Sequence, residues 1–185
     1  MEKTAVQKLA GALKILVIIT FVCNLIALLL VPGMVHISVH QGLAEWWRYD
    51  TDDTLAMLLL GGWSQWGQNG AYADVLSAFL LFCGVCTAVV LWQARRVLDT
   101  VLEGLPFQEK NSKSLRLAAV CSFLISAAAL VRLIWGLAYY RTIEPLLSYN
   151  ALFVPVFFMA GLLCLVMSAL FRQAAELKAE NDLTI

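Results

Sequence analysis

Four stretches of the chain are almost unbroken apolar sequence: about Ile15 to Met34, Asp74 to Ala94, Leu117 to Tyr140 and Ala151 to Phe171. Each reaches the roughly 20 residues that a helix needs to cross a hydrocarbon core of about 30 Å. The pattern predicts an all-α, antiparallel four-helix transmembrane bundle forming one integral membrane domain over residues 1–185. No charged residue lies between Lys14 and Glu45. The first span is longer than a signal-peptide core and Val31-Pro32-Gly33-Met34 has no A-x-A cleavage pattern, so it reads as an uncleaved anchor. Helices in lipid associate through small and weakly polar residues at helical spacing. Each span carries such a stripe: Thr20, Asn24 and Ala27; Asp74, Ser77, Gly84 and Ala88; Ala118, Ser122, Ala129, Arg132 and Gly136; Gly161, Cys164 and Ser168.

Between the spans the pattern changes. The outer connection, 35–73, opens with Val35-His36-Ile37-Ser38-Val39-His40, whose strict alternation predicts a short half-buried strand. The run Leu55 to Leu60 is too short to cross a bilayer, and Trp46, Trp47, Trp63, Trp66 and Tyr72 suit the water–lipid interface, so a folded cap in the headgroups is expected. After the second span, Val97, Leu98, Val101 and Leu102 keep one apolar face while Asp99 and Glu103 take the other. That continues the helix until Gly104 ends it in a left-handed cap, with Pro106 blocking its resumption. Asn111 or Ser112 is the expected N-cap of the third helix. The fourth helix should run on through Glu180, supported by an Arg172–Glu176 pair at i,i+4.

Composition supports lipid as the solvent: 61% of residues are hydrophobic and only 14% charged, against about a quarter charged in ordinary globular chains. Thirteen basic and thirteen acidic residues cancel, which removes the basic excess of a nucleic-acid binder. The basic residues are nonetheless unevenly placed. Ten lie in the N-terminal segment, the second connection (95–116) and the tail (172–185), whereas the first and third connections hold only Arg48 and Arg141. The positive-inside rule then predicts both termini and the second connection in the cytoplasm.

Gly104-Leu105-Pro106-Phe107 with Asn111 and Leu115-Arg116, together with the terminal Leu177-Lys178-Ala179-Glu180-Asn181-Asp182-Leu183-Thr184-Ile185, resembles the bacterial membrane-protein family catalogued as domain of unknown function 2975. The four-span plan matches that family over essentially the whole chain. Genes of the family commonly neighbour a small helix-turn-helix regulator, which the resemblance implies as a candidate partner. It carries no established catalytic or ligand residues.

Candidate chemistry is sparse. Arg132 is the one charged residue well inside a span, at an insertion cost of at least about 2.5–3.5 kcal/mol, and Asp74, Asn24 and Glu144 are its candidate partners. It either locks the bundle by pairing outward or contacts an anion, a lipid headgroup or a small ligand. His36 and His40 on a strand lie about 13 Å apart, too far to share a metal. All five cysteines lie in apolar runs, and Cys83-x-x-Cys86 has no second pair and no cation beside it, so small-residue packing is expected rather than metal or redox chemistry. Neither a nucleophile with its base nor a phosphate loop is present; no enzyme activity, cofactor or metal is expected. The chain reads as an interaction or sensory protein whose partner surface comprises Pro106, Phe107, Asn111, Arg116, Glu180, Asn181, Asp182, Leu183 and Ile185. The alternative is a lipid-, anion- or small-ligand-binding bundle, or an oligomeric transporter, centred on Arg132. Leu183 and Ile185 should dock on the apolar face of the second connection, because exposed they would each cost about 1.5–3 kcal/mol.

Overall fold

The computed structural model of the chain describes residues 5–40, 56–64, 66–68, 70–105 and 107–182. Four long helices dominate: α1 (Ala5–His40), α2 (Ala71–Leu102), α3 (Glu109–Tyr140) and α4 (Tyr149–Asp182). All four are long and apolar enough to cross a membrane, and no strand occurs among the described residues. The molecule is an integral membrane protein of the all-α, helical-bundle class. The chain divides into two compact units, residues 1–22 with 86–185, and residues 23–85.

In the larger unit, consecutive helices run antiparallel, and each pair is held by polar groups near the helix ends. Lys14 of α1 meets Asp99 of α2 at 2.7 Å, and Phe21 packs on Trp92 with centroids 5.8 Å apart. Asn111 of α3 donates from Nδ2 to Thr100 Oγ1 of α2 at 2.6 Å. Ser112 and Ser168 clamp α3 to α4 reciprocally: each hydroxyl donates to the other residue's carbonyl, at 2.9 and 2.8 Å. Further along the same pair, Ser126 Oγ donates to the Val154 carbonyl at 2.8 Å. Gly161 admits the Phe123 ring so closely that an added Cβ would lie 2.7 Å from it. The buried side of α3 is accordingly small or polar, with Ala118, Ala119, Ser122, Ser126, Ala129 and Gly136, and Ile125 is its one large buried residue.

Hydrophobic burial gives little net attraction between helices in lipid, which explains why the contacts are built this way. Large apolar side chains instead point outward: Leu16, Leu29, Val131, Leu163 and Val166 are all exposed. The small-residue stripes foretell most contact faces, but α1 departs from its stripe. Thr20 bonds back to its own Leu16 carbonyl and, like Ala27, is exposed; Asn24 alone turns to a neighbouring helix.

The smaller unit corrects the strand expected over Val35–His40, which is the last part of α1. Val35, His36 and Ile37 are buried in succession, whereas Ser38 and Val39 are exposed, a helical rather than an alternating pattern. The helix passes Pro32 and then Gly33, a residue that lets another backbone come into contact. A π-helical turn, Met57–Gly61, followed by a helical turn, Gly62–Ser64, lies against this place. A Cβ on Gly33 would collide with the Leu58 carbonyl, and one on Gly62 with the backbone of Gly33. Proline has no N–H to offer the carbonyl four residues back, that of Leu28; in the same turn the neighbouring Leu29 carbonyl accepts from Trp63 Nε1 at 2.9 Å. Trp63 and Trp66 pack with centroids 5.6 Å apart; Trp46 and Trp47 lie outside the described residues.

The connection between α2 and α3 follows its sequence signals except at the cap. Gly104 has φ 76°, and the Leu105 N–H to Thr100 and Gly104 N–H to Val101 bonds form the double closure of a glycine-terminated helix. The expected cap at Asn111 or Ser112 is displaced: Gln108 is the N-cap, in extended conformation, and the helix begins at Glu109. Asn111 and Ser112 are thereby one turn inside, where their side chains hold neighbouring helices. α4 extends to Asp182, and Arg172 meets Glu176 at 2.8 Å as expected.

The backbone-to-backbone contact yields a sharp expectation. Gly33→Ala and Gly62→Ala should each destabilise the protein by about 1–3 kcal/mol or more, because neither backbone can yield as a side chain would. Gly11→Ala, whose nearest outside atom would lie 3.9 Å away, should be neutral in the same thermal-unfolding assay in detergent.

Candidate functional site

The intramembrane candidates separate by unit. Arg132 lies on α3 one turn before Gly136, half-buried, with Nη1 of its guanidinium fully buried. Pro145 packs on Gly136, 3.5 Å from where a Cβ would stand, so the short turn Glu144–Leu147 is seated one helical turn beyond Arg132. Glu144 itself is exposed. Within the 23–85 unit, Asn24 donates to the Gly84 carbonyl at 3.0 Å. Asp74 accepts from the Gly67 N–H at 3.1 Å. Asp74 thus closes the turn leading into α2, and its charge suits the positive N-terminal end of that helix. Asn24 and Asp74 therefore have structural roles inside their own unit.

His36 is buried on α1, which replaces the exposed strand histidine expected from the alternation; the side chain of His40 lies outside the described residues. Cys83 of α2 is buried, in keeping with small-residue packing. Cys86, like Cys121 of α3, is a buried free thiol. Among the described residues no group of three or more His, Cys, Asp or Glu is placed to hold a metal ion.

The polar end of the larger unit is the more developed surface. The start of α3 and the end of α4 enclose an open groove of about 670 Å³, lined by Phe107, Lys113, Arg116, Arg172 and Glu176 among others. Phe107 packs against Phe171, with centroids 5.9 Å apart and the rings tilted by 48°, and still remains half exposed. Lys113 meets Glu109 at 3.0 Å across one helical turn of α3. The hydrogen bond from Lys113, followed by its charge, holds the Glu109 carboxyl below its ordinary range. On the facing helix, the hydrogen bond to Glu176 and then its charge push the Arg172 guanidinium upward. A smaller polar cavity of about 240 Å³ lies between α2 and α3, bordered by Arg96, Asp99, Glu103, Lys110 and Asn111.

The expected partner residues divide accordingly. Phe107, Arg116, Glu180 and Asn181 are exposed, whereas Asn111 is 1% exposed and turned inward to Thr100. Pro106, Leu183 and Ile185 lie outside the described residues, as does the side chain of Asp182, and with them the expected docking of the tail on the second connection. The Ser112–Ser168 clamp and the Lys14–Asp99 pair are absent from the sequence reading. Serines in both partner helices signal the former, but their register becomes visible only once the helices are paired.

No curated protein and no solved structure matches the chain. Residues 53–185 do match a family, and that stretch holds α2, α3, α4 and the π-helical turn, with both polar-end motifs. On this match the chain belongs to the family described as protein of unknown function (DUF2975).

Proposed function

We propose that this is a non-enzymatic interaction or sensory protein of the bacterial inner membrane, with both termini in the cytoplasm, whose partner surface is the polar end formed by 95–116 and 172–185. The observation that carries this reading is the exposure of large apolar side chains outside the hydrocarbon spans. Leu105, Phe107 and Leu177 are 44%, 50% and 66% exposed. They lie among charged residues beyond the apolar runs, where exposed large apolar side chains are candidates for protein contact. A small helix-turn-helix regulator is the partner that the family resemblance suggests. Orientation rests on the ten basic residues of the N-terminal segment, 95–116 and 172–185, against two in the first and third connections. A second reading, an anion- or small-ligand-binding role for Arg132, is favoured by the burial of its Nη1 within a span.

Two measurements test the proposal. In a cysteine-free background, Ser64→Cys should react with an impermeant thiol reagent in intact cells and Lys178→Cys only after lysis; the reverse pattern contradicts the orientation. A photo-crosslinking residue at Phe107 or Leu177 should yield a discrete adduct with one soluble protein, and the same probe at lipid-facing Leu163 should not. Adducts with membrane components alone at all three positions would overturn the partner surface.

A further inference from the structure

We propose that the groove between the start of α3 and the end of α4 is a binding site for the phosphate of an anionic lipid headgroup, with Arg116 as its principal ligand and Arg172 opposite. Arg116 precedes the apolar run that begins at Leu117, and Arg172 follows the one that ends at Phe171. The two guanidinium groups thus flank one groove at the boundary where hydrocarbon gives way to headgroups. Its formal charge is positive, since Lys113, Arg116 and Arg172 face Glu109 and Glu176.

The carboxylates are already engaged. Glu109 is taken by Lys113 at 3.0 Å and Glu176 by Arg172 at 2.8 Å, which leaves Arg116 without an ion pair among the described residues. A guanidinium offers a planar fork of donors that matches phosphate geometry. Both engaged pairs are solvent-exposed and weak, so a phosphate can also draw on Arg172 and Lys113.

A lipid, rather than free phosphate, is favoured by what lies beyond Arg116. Val120 and Leu124 follow at four-residue intervals on the same face of α3, and both are exposed, 45% and 46%. Headgroup contacts therefore continue directly into an apolar track that an acyl chain can follow, and basic pockets beside membrane helices bind anionic lipids in this manner. The site lies within the polar end proposed above as the partner surface and shares Phe107 and Arg116 with it, but it is carried by the two guanidinium groups and the apolar track and not by that reading.

The full-length protein, purified in detergent and stripped of lipid, can be titrated with short-chain phosphatidylglycerol, phosphatidylcholine or inorganic phosphate while native mass spectrometry follows the complexes. Phosphatidylglycerol should bind at about tenfold lower concentration than phosphatidylcholine, and Arg116→Gln should weaken it by about the same factor, the order lost with one charge-assisted contact. Arg172→Gln should weaken it less. Lys178→Gln, which removes the same charge about 9 Å further along α4, should leave it unchanged. Equal binding of the two lipids, equal weakening by Lys178→Gln, or displacement by inorganic phosphate at concentrations matching the lipid would overturn the proposal. Should Arg116→Gln lose its thermal transition, the Arg172→Gln and Lys178→Gln comparison decides.

Discussion

The reciprocal hydrogen bonds between Ser112 and Ser168 express the constraint under which the whole molecule is built. A chain whose outer surface is apolar gains little by pressing apolar faces together in lipid, so its helices must be joined by close approach and by the few polar bonds that the bilayer makes worthwhile. α3 is the element on which those bonds converge in the larger unit. It meets α2 through Asn111 and Thr100, and α4 through Ser112, Ser126 and the Phe123 ring lying over Gly161. Both hydrogen-bonded joints to Asn111 and Ser112 sit near the polar end, which fixes the floor of the groove where Phe107, Arg116 and Arg172 are displayed.

The 23–85 unit solves the same problem by a different route. Pro32 opens the hydrogen-bond ladder of α1, Gly33 removes the side chain next to it, and Gly62 does the same on the approaching segment. Two backbones then touch where side chains would normally intervene. The indole of Trp63 uses the opened turn as its acceptor, so one aromatic residue both closes the joint and brings a ring to the region where an interfacial belt is expected.

The spans, the glycine-ended α2 and the Arg172–Glu176 pair were legible in the sequence because each depends on residues within a turn or two of one another. The alternation of Val35–His40 fits a strand, yet the segment continues α1, and the same helix meets Leu58 and Gly62 at Gly33, more than twenty positions away. Asn111 looked like a cap because asparagine favours helix starts; its real acceptor, Thr100, lies across the turn on the preceding helix. Asn24 donates to the Gly84 carbonyl and Asp74 accepts from the Gly67 N–H, bonds that depth in a span does not reveal. Polar residues in a span announce that a contact exists; which contact is set by helix pairing, which no local pattern encodes. At the polar end, Arg116 and Phe107 were recognisable as motif residues, but the groove they share with Arg172 requires α3 and α4 to be seen side by side.

The claim that polar clamps on α3 hold the membrane helices together is tested most directly by a double-mutant cycle on Ser112→Ala and Ser168→Ala, with unfolding followed in a bicelle or detergent. The account predicts that the two substitutions are coupled by about 0.6 kcal/mol, and by no more than about 1.7 kcal/mol, the range found for hydrogen bonds between membrane helices. Strictly additive effects, within about 0.3–0.5 kcal/mol of independence, would contradict it.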